Sequence, residues 1–244
     1  MHRFYFDGAL GGDVTIEGGE FNHLVNVLRV GAGERVIGVS CDDFDYEYEV
    51  ASITRAGARL RFIEKRRNLA NPGRELTVYL GLIKHDKLAQ AVTQLNEVGV
   101  SEIVVFNCER SNVALKSVSE AKLNEVARQS CKQCFRSRPA VVRVVSKFPF
   151  EEARRQEKII FARTQSENEI DICGGGQQGG ERDFGGATAV IIGPEGGFTP
   201  DEDRAFRGMR NVFGVTLGAR VLRAETAAVV FAGLVLNAGG GKRP

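Results

Sequence analysis

The chain has 244 residues, 43% of them apolar and 26% charged, with a formal net charge of +2 and five cysteines. That length supports one large or two modest domains with real cores, and the charge excludes a polycation. The start, Met1 to Asp7, has no apolar signal core, and the longest apolar run, Ala227 to Leu236, is too short to cross a bilayer. An odd number of cysteines points to reduced thiols, so the expectation is a cytoplasmic protein with no membrane partner.

The first seventy residues read as mostly β. Short strands are predicted at Val14 to Ile16, Arg35 to Val39, Tyr46 to Ile53 and Ala58 to Ile63. Tyr46, Tyr48 and Val50 alternate with polar residues, as do Leu60 and Phe62. Glu20 to Val30 has a helical pattern, with Phe21, Leu24, Val25 and Leu28 on one face. Several short strands and one helix suggest a small barrel. Lys65 to Glu75, basic and broken by Pro72-Gly73, reads as a linker.

After it the rhythm becomes alternating strand and helix. Strands are predicted at Leu76 to Leu82, Glu102 to Phe106, Val141 to Val145, Lys158 to Ala162, Thr188 to Gly193 and Asn211 to Leu217. Helical patterns lie before Gly99, over Val118 to Cys134, and over Ala224 to Ala238, which is apolar nearly all round. Apolar strands alternating with helices predict a largely parallel sheet covered on both faces. A helix without a polar face must be buried on every side, in a core or against another subunit. Gly174 to Gly180 reads as a surface excursion.

Basic residues cluster. Seven lie from Arg55 to Arg74 against one acid, Glu64, and six from Ala127 to Lys147 with none. Arg128, Lys132 and Arg136 fall at i, i+4 and i+8, one helix face. These segments tilt the reading from a solvated face toward a phosphate-backbone partner.

The most distinctive stretch is "VIIGPEGGFTPDE", Val190 to Glu202. Thr199, Pro200 and Glu202 form a capping-box helix start, so a five-residue loop, Gly193 to Gly197, joins a strand to a helix. Ligands in parallel α/β sheets bind beyond the carboxyl ends of strands. The loop lacks the lysine of a P-loop and the spacing of a dinucleotide fingerprint. Glu195 would repel a polyphosphate and suits a cationic ligand such as S-adenosylmethionine, or else it caps a helix. A second unusual loop, "LGARVLRAETA", follows the last strand. Cys131-Lys132-Gln133-Cys134 sits in a helical stretch with no second pair, so no metal is expected.

"IIGPEGGFTPDE" and "LGARVLRAETA" together resemble the two signature loops of the ribosomal RNA small subunit methyltransferase E family. "FNHLVNVLRVGAGE" is similar to its PUA-like domain, "LIKHDKLAQAVTQLNEVGVSEI" to its first βαβ unit, and "QCFRSRP" to its Gln-Cys-Gly-Arg segment. Phe135 and His85 stand where the family usually has glycine. The resemblance implies an α/β fold: a small PUA-like β-barrel over residues 1–70, then a SPOUT-type domain with a trefoil knot over 74–244.

It also implies S-adenosylmethionine-dependent methylation of N3 of a uridine in the decoding region of 16S ribosomal RNA, within the 30S subunit, by a homodimer. The rivals are a non-catalytic RNA-binding or assembly factor and a related enzyme acting on another RNA. The implied cofactor residues are Ala162, Arg163, Thr164, Ile192, Gly193, Pro194, Glu195, Gly196, Gly197, Leu217, Gly218, Val221 and Leu222. Arg223 or Arg220 is expected to hold the uracil oxygens, with Glu225 or Glu195 accepting the proton. Glu225 has an equally plain role as the cap of the last helix. Arg3, Arg29, Arg66, Arg67, Lys84, Arg128, Lys132, Arg136 and Arg138 are the expected RNA contacts.

Overall fold

The computed structural model describes residues 1–6, 8–163, 170–171 and 186–237, the pair 170–171 by backbone alone. Thr164, the excursion Gly174 to Gly180 and Ala238 lie outside the described residues. The chain divides into two compact units, Met1–Asn71 with Gln129–Pro139, and Pro72–Arg128 with Ala140–Pro244. A linear division near residue 70 leaves Gln129–Pro139 with the second unit. It joins the first because Asn71 Nδ2 donates to Ser137 Oγ at 2.8 Å and Asn68 Nδ2 donates to the Phe135 carbonyl at 2.8 Å.

The first unit holds strands β1 (His2–Tyr5), β2 (Val14–Ile16), β3 (Arg35–Val39), β4 (Phe44–Ile53) and β5 (Ala58–Arg67). They pair in the order β1–β3–β4–β5–β2, with β1 and β3 parallel and the rest antiparallel. Alternation puts Tyr46, Tyr48, Val50 and Leu60 inward, and all four are buried. The Tyr48 and Phe62 rings, opposite each other in the ladder, meet edge-on at 5.8 Å.

Glu47 breaks the alternation. It lies at a register shift and is 2% exposed. Two guanidiniums balance this buried charge: Arg35 Nη1 donates to Oε1 at 2.7 Å, and Arg66 pairs with Oε2.

Four features depart from the sequence-based reading. The helix predicted over Glu20 to Val30 is a short α1 (Gly18–Asn22) running into a π-helical turn, His23–Val27, closed by Leu28 N–H to His23 C=O at 2.9 Å. Lys65, Arg66 and Arg67 are not linker, because β5 continues through them opposite Tyr46, Asp45 and Phe44. Strand β1, four residues with one buried side chain, Phe4, is too short to leave a periodic signal.

The fourth concerns Arg136. Helix α3 (Glu120–Cys134) stops at Cys134, and Phe135 takes φ +65. Arg136 is therefore not on the helix face of Arg128 and Lys132, and it is 1% exposed.

The second unit is built on β6 (Thr77–Gly81), β7 (Glu102–Phe106), β8 (Val141–Val145), β9 (Ile159–Arg163), β10 (Ile170–Asp171), β11 (Ala189–Ile192) and β12 (Val212–Thr216). Their order is β10–β12–β9–β11–β6–β7–β8, every pair parallel. Period-two alternation sorts the apolar strands into two cores. Val78, Leu80, Ile103, Val105, Val190 and Ile192 belong to one, with Leu88, Val92 and Leu95 of α2 (His85–Val98) and Phe231 and Val235 of α6 (Ala224–Asn237). Tyr79, Val104, Phe106, Phe161 and Ile191 belong to the other, with Ala153 of the short α4 (Phe150–Ala153) and Phe206 of α5 (Pro200–Arg207).

Within the chain, helix α6 is buried on one side, which leaves open the alternative of burial against another subunit. Ala224, Ala228, Phe231, Ala232 and Val235 are buried, while Val230 is exposed.

Candidate functional site

A parallel sheet sends every strand's carboxyl end to one edge. Because β12, β9, β11 and β6 are neighbours, the segments after them meet there. Those after β9, β11 and β12, with Arg110 after β7, line a cavity of about 960 Å³, toward the upper end of the range for small-molecule sites. Ala162 and Arg163 from β9, the turn Gly193 to Gly197 after β11, and Leu217, Val221 and Leu222 after β12 all line it. Thus eleven of the thirteen cofactor positions expected from the sequence come together in the cavity wall. Gly218 bends the β12 loop at φ +82, its carbonyl accepting Thr216 Oγ1 at 3.3 Å, and Thr164 is not described.

The glycine turn is fastened from outside. Gly197 N–H closes it onto the Pro194 carbonyl at 2.9 Å. Glu195 Oε1 accepts the backbone N–H of Lys84, the N-cap of α2, at 3.2 Å. Glu195 lines the cavity, and its carboxylate sits on a helix amino end, though not on the one its own loop leads to. Arg110, after β7, gives Nη1 to the carbonyls of Gly196 at 3.4 Å and Phe198 at 3.2 Å. A Cβ on Gly196 would stand 2.9 Å from the Arg110 carbonyl, so only glycine permits this approach.

The expected capping box is present: Thr199 Oγ1 accepts from Glu202 N–H at 3.3 Å, and Glu202 Oε2 accepts from Thr199 N–H at 2.8 Å. Glu202 Oε1 also accepts Glu109 N–H at 3.0 Å, tying the β7 loop to the same helix start.

Gly81, at the end of β6, was not singled out from the sequence. A Cβ there would lie 2.7 Å from Pro194 Cδ and 2.9 Å from Cys108 Sγ. Burial, helped by the charge of Glu202, pushes the Cys108 thiol up to about 12, so it stays a neutral packing group rather than a nucleophile. Gly81→Ala must displace the glycine turn and should cost about 1–3 kcal/mol in denaturant unfolding. Gly233→Ala, which meets nothing within 4 Å, is the control and should be neutral or stabilising. Equal stability of the two variants would contradict the tight fit.

Of the four expected catalytic groups, Arg220, Arg223 and Glu195 line the cavity. Glu225 does not: it is 6% exposed in the first turn of α6, with Oε1 3.9 Å from Lys87 Nζ. Sequence reasoning missed Arg110, Phe198 and Asp203, all in the wall. Asp203 forms an ion pair with Arg163 and accepts Arg207 Nε at 3.0 Å. Arg110 carried one usable signal, its place just past the carboxyl end of a parallel strand.

The expected RNA contacts separate into groups. Arg29, Arg67 and Lys84 are exposed. Arg3 is held by both oxygens of Asp45, and Arg66 by Glu47 and Glu64. Arg128 pairs with Glu125, Lys132 with Glu20 and Arg138 with Asp43. Arg143 pairs with Glu102 and Glu152. The segment without acids of its own thus meets acids from elsewhere in the chain. Arg136 is corrected: its burial keeps it from RNA.

A family model described as an RNA methyltransferase domain matches residues 70–236, and one described as an RNA methyltransferase PUA domain matches 16–63. The chain is 30% identical to a ribosomal RNA small subunit methyltransferase E from Bacillus subtilis, over 87% of this chain and 85% of that one. It is 24% identical to the protein of that name from Rickettsia conorii, over 93% and 92%. A crystal structure of a ribosomal RNA small subunit methyltransferase E from Neisseria gonorrhoeae bound to S-adenosyl methionine superposes with a TM-score of 0.76, at 25% identity and 95% coverage of each chain. With the small N-terminal sheet, the parallel C-terminal sheet and these matches in agreement, the chain belongs to the ribosomal RNA small subunit methyltransferase E family.

Proposed function

We propose that the protein transfers a methyl group from S-adenosylmethionine to N3 of a uridine in the decoding region of 16S ribosomal RNA, acting on the 30S subunit in the cytoplasm as a homodimer. The observation that carries this reading is the cavity at the carboxyl edge of the sheet, where a glycine turn meets Arg220 and Arg223. The residues present fit the cofactor. Ile192, Leu217 and Leu222 offer apolar surface to an adenine ring, and the glycine turn exposes backbone N–H and C=O groups at close range.

When bound, S-adenosylmethionine supplies an electrophilic methyl group. The chain's own task is alignment, which can lower a barrier by about 7–11 kcal/mol. Uracil N3 carries a proton at neutral pH. Glu195, the one of the two candidate carboxylates in the cavity wall, accepts it. The charge left on O2 and O4 is met by hydrogen bonds from Arg223 and Arg220. Exposed Arg29, Arg67 and Lys84 supply phosphate contacts, joined by Arg128 and Arg138, whose half-exposed ion pairs are worth little against a phosphate.

Mass spectrometry of ribosomal RNA from cells with and without the protein tests the product. N3-methyluridine should vanish from small-subunit RNA when the protein is absent, and an unchanged level overturns the assignment. Calorimetry should find one S-adenosylmethionine per chain; no uptake removes the cofactor.

A further inference from the structure

Phe135, in the first unit, is the residue directly after α3, with φ +65. That left-handed position at a helix end normally falls to glycine, because a side chain there is strained. Burial does not offset the strain, since Phe135 is 56% exposed. The residue is nonetheless held in place. Asn68 Nδ2 donates to its carbonyl at 2.8 Å and to Asp45 Oδ1 at 2.7 Å. Asp45 in turn grips Arg3 Nη1 at 2.8 Å and Nη2 at 2.7 Å, and the guanidinium carbon of Arg3 lies 5.5 Å from the centre of the Phe135 ring. An exposed aromatic ring thus stands on an anchored backbone, with the Arg3–Asp45 ion pair and other polar groups around it.

We propose that Phe135 is a stacking platform for an unpaired nucleobase of RNA, a contact separate from the methyl-transfer cavity. Every base has a flat π-face, and exposed aromatics are what single-stranded RNA stacks on. An aliphatic protein partner would call for an apolar surround, and Arg3, Asp45 and Asn68 do not give one. The proposal rests on the reading of the substrate as RNA.

The chain has no tryptophan, so Phe135→Trp places a single fluorescent reporter at the platform. Its emission should be quenched when single-stranded oligouridylate saturates the protein. Phe135→Gly relieves the backbone strain and should melt at the same temperature or higher, yet bind oligouridylate about tenfold more weakly. Stacking releases no counterions, so the slope of log affinity against log salt should match that of wild type.

Binding by Phe135→Gly within twofold of wild type, or unchanged emission from Phe135→Trp at saturation, overturns the platform. So does a loss of dimer in sedimentation of Phe135→Gly with RNA affinity intact, which would make the ring a subunit contact. Calorimetry with S-adenosylmethionine reads the cavity separately. Uptake without quenching sinks the platform alone; quenching without uptake sinks the methyltransferase reading alone.

Discussion

Arg223→Ala should lower methyl transfer about a hundredfold or more, ~2.7 kcal/mol, the loss typical of removing one donor aimed at a developing oxyanion. The side chain is exposed and lines the cavity just before α6. The Arg223 backbone carbonyl, not its side chain, accepts the Ala227 N–H at 2.8 Å. Truncation therefore leaves the helix start intact, and the melting temperature should stay put while kcat falls. Cofactor affinity should change little. Activity within about threefold of wild type, ~0.6 kcal/mol, would remove Arg223 from the mechanism. Arg223→Lys keeps the charge but loses the planar fork, so it should recover only part of the rate.

Phe206→Ala should have the largest effect on stability. The Phe206 ring meets Phe148 and Phe198 at 4.8 Å, Phe161 at 5.4 Å, Phe150 at 5.8 Å and Phe106 at 6.4 Å. Truncating such a buried aromatic costs about 3–5 kcal/mol, a large share of the ~5–15 kcal/mol that holds a typical domain folded. The denaturation midpoint should fall with its slope unchanged. Phe161 and Phe198 also line the cavity, so S-adenosylmethionine affinity should drop with stability. Phe206→Leu refills most of the space and should restore most of both. A loss below about 1 kcal/mol for the alanine variant would mean the rings do not depend on their hub.

How far these features could be read beforehand depended on the range of the interaction. Strands such as Val190 to Ile192 were legible because burial on both faces makes a near-continuous apolar run. The capping box at Thr199 and Glu202 was legible because both partners fall within four positions. Arg110 was not, since its hold on Gly196 and Phe198 joins segments far apart in sequence. Gly81 was hidden for the same reason: the need for glycine comes from Pro194 and Cys108. Charge misled in the same way. The segment around Arg138 and Arg143 looked free of acids because Asp43, Glu102 and Glu152 lie elsewhere in the chain. The end of α3 at Cys134, which removed Arg136 from the helix face, was obscured because Phe135 takes a left-handed position where a glycine would have announced it.

The strand order also bears on how the nascent chain acquires its ligand. Strands β6, β7 and β8 are consecutive neighbours and can assemble as they emerge during synthesis, whereas β11 must insert between β6 and β9, which precede it. The turn that begins at Gly193 follows that insertion directly, and the segment from Leu217 to Arg223 follows β12, which comes later still and pairs with β9. The binding face is therefore made in the closing stage of folding. A small molecule that recognises only this face can rescue variants that fail at that stage, and cannot rescue those whose first three strands never form.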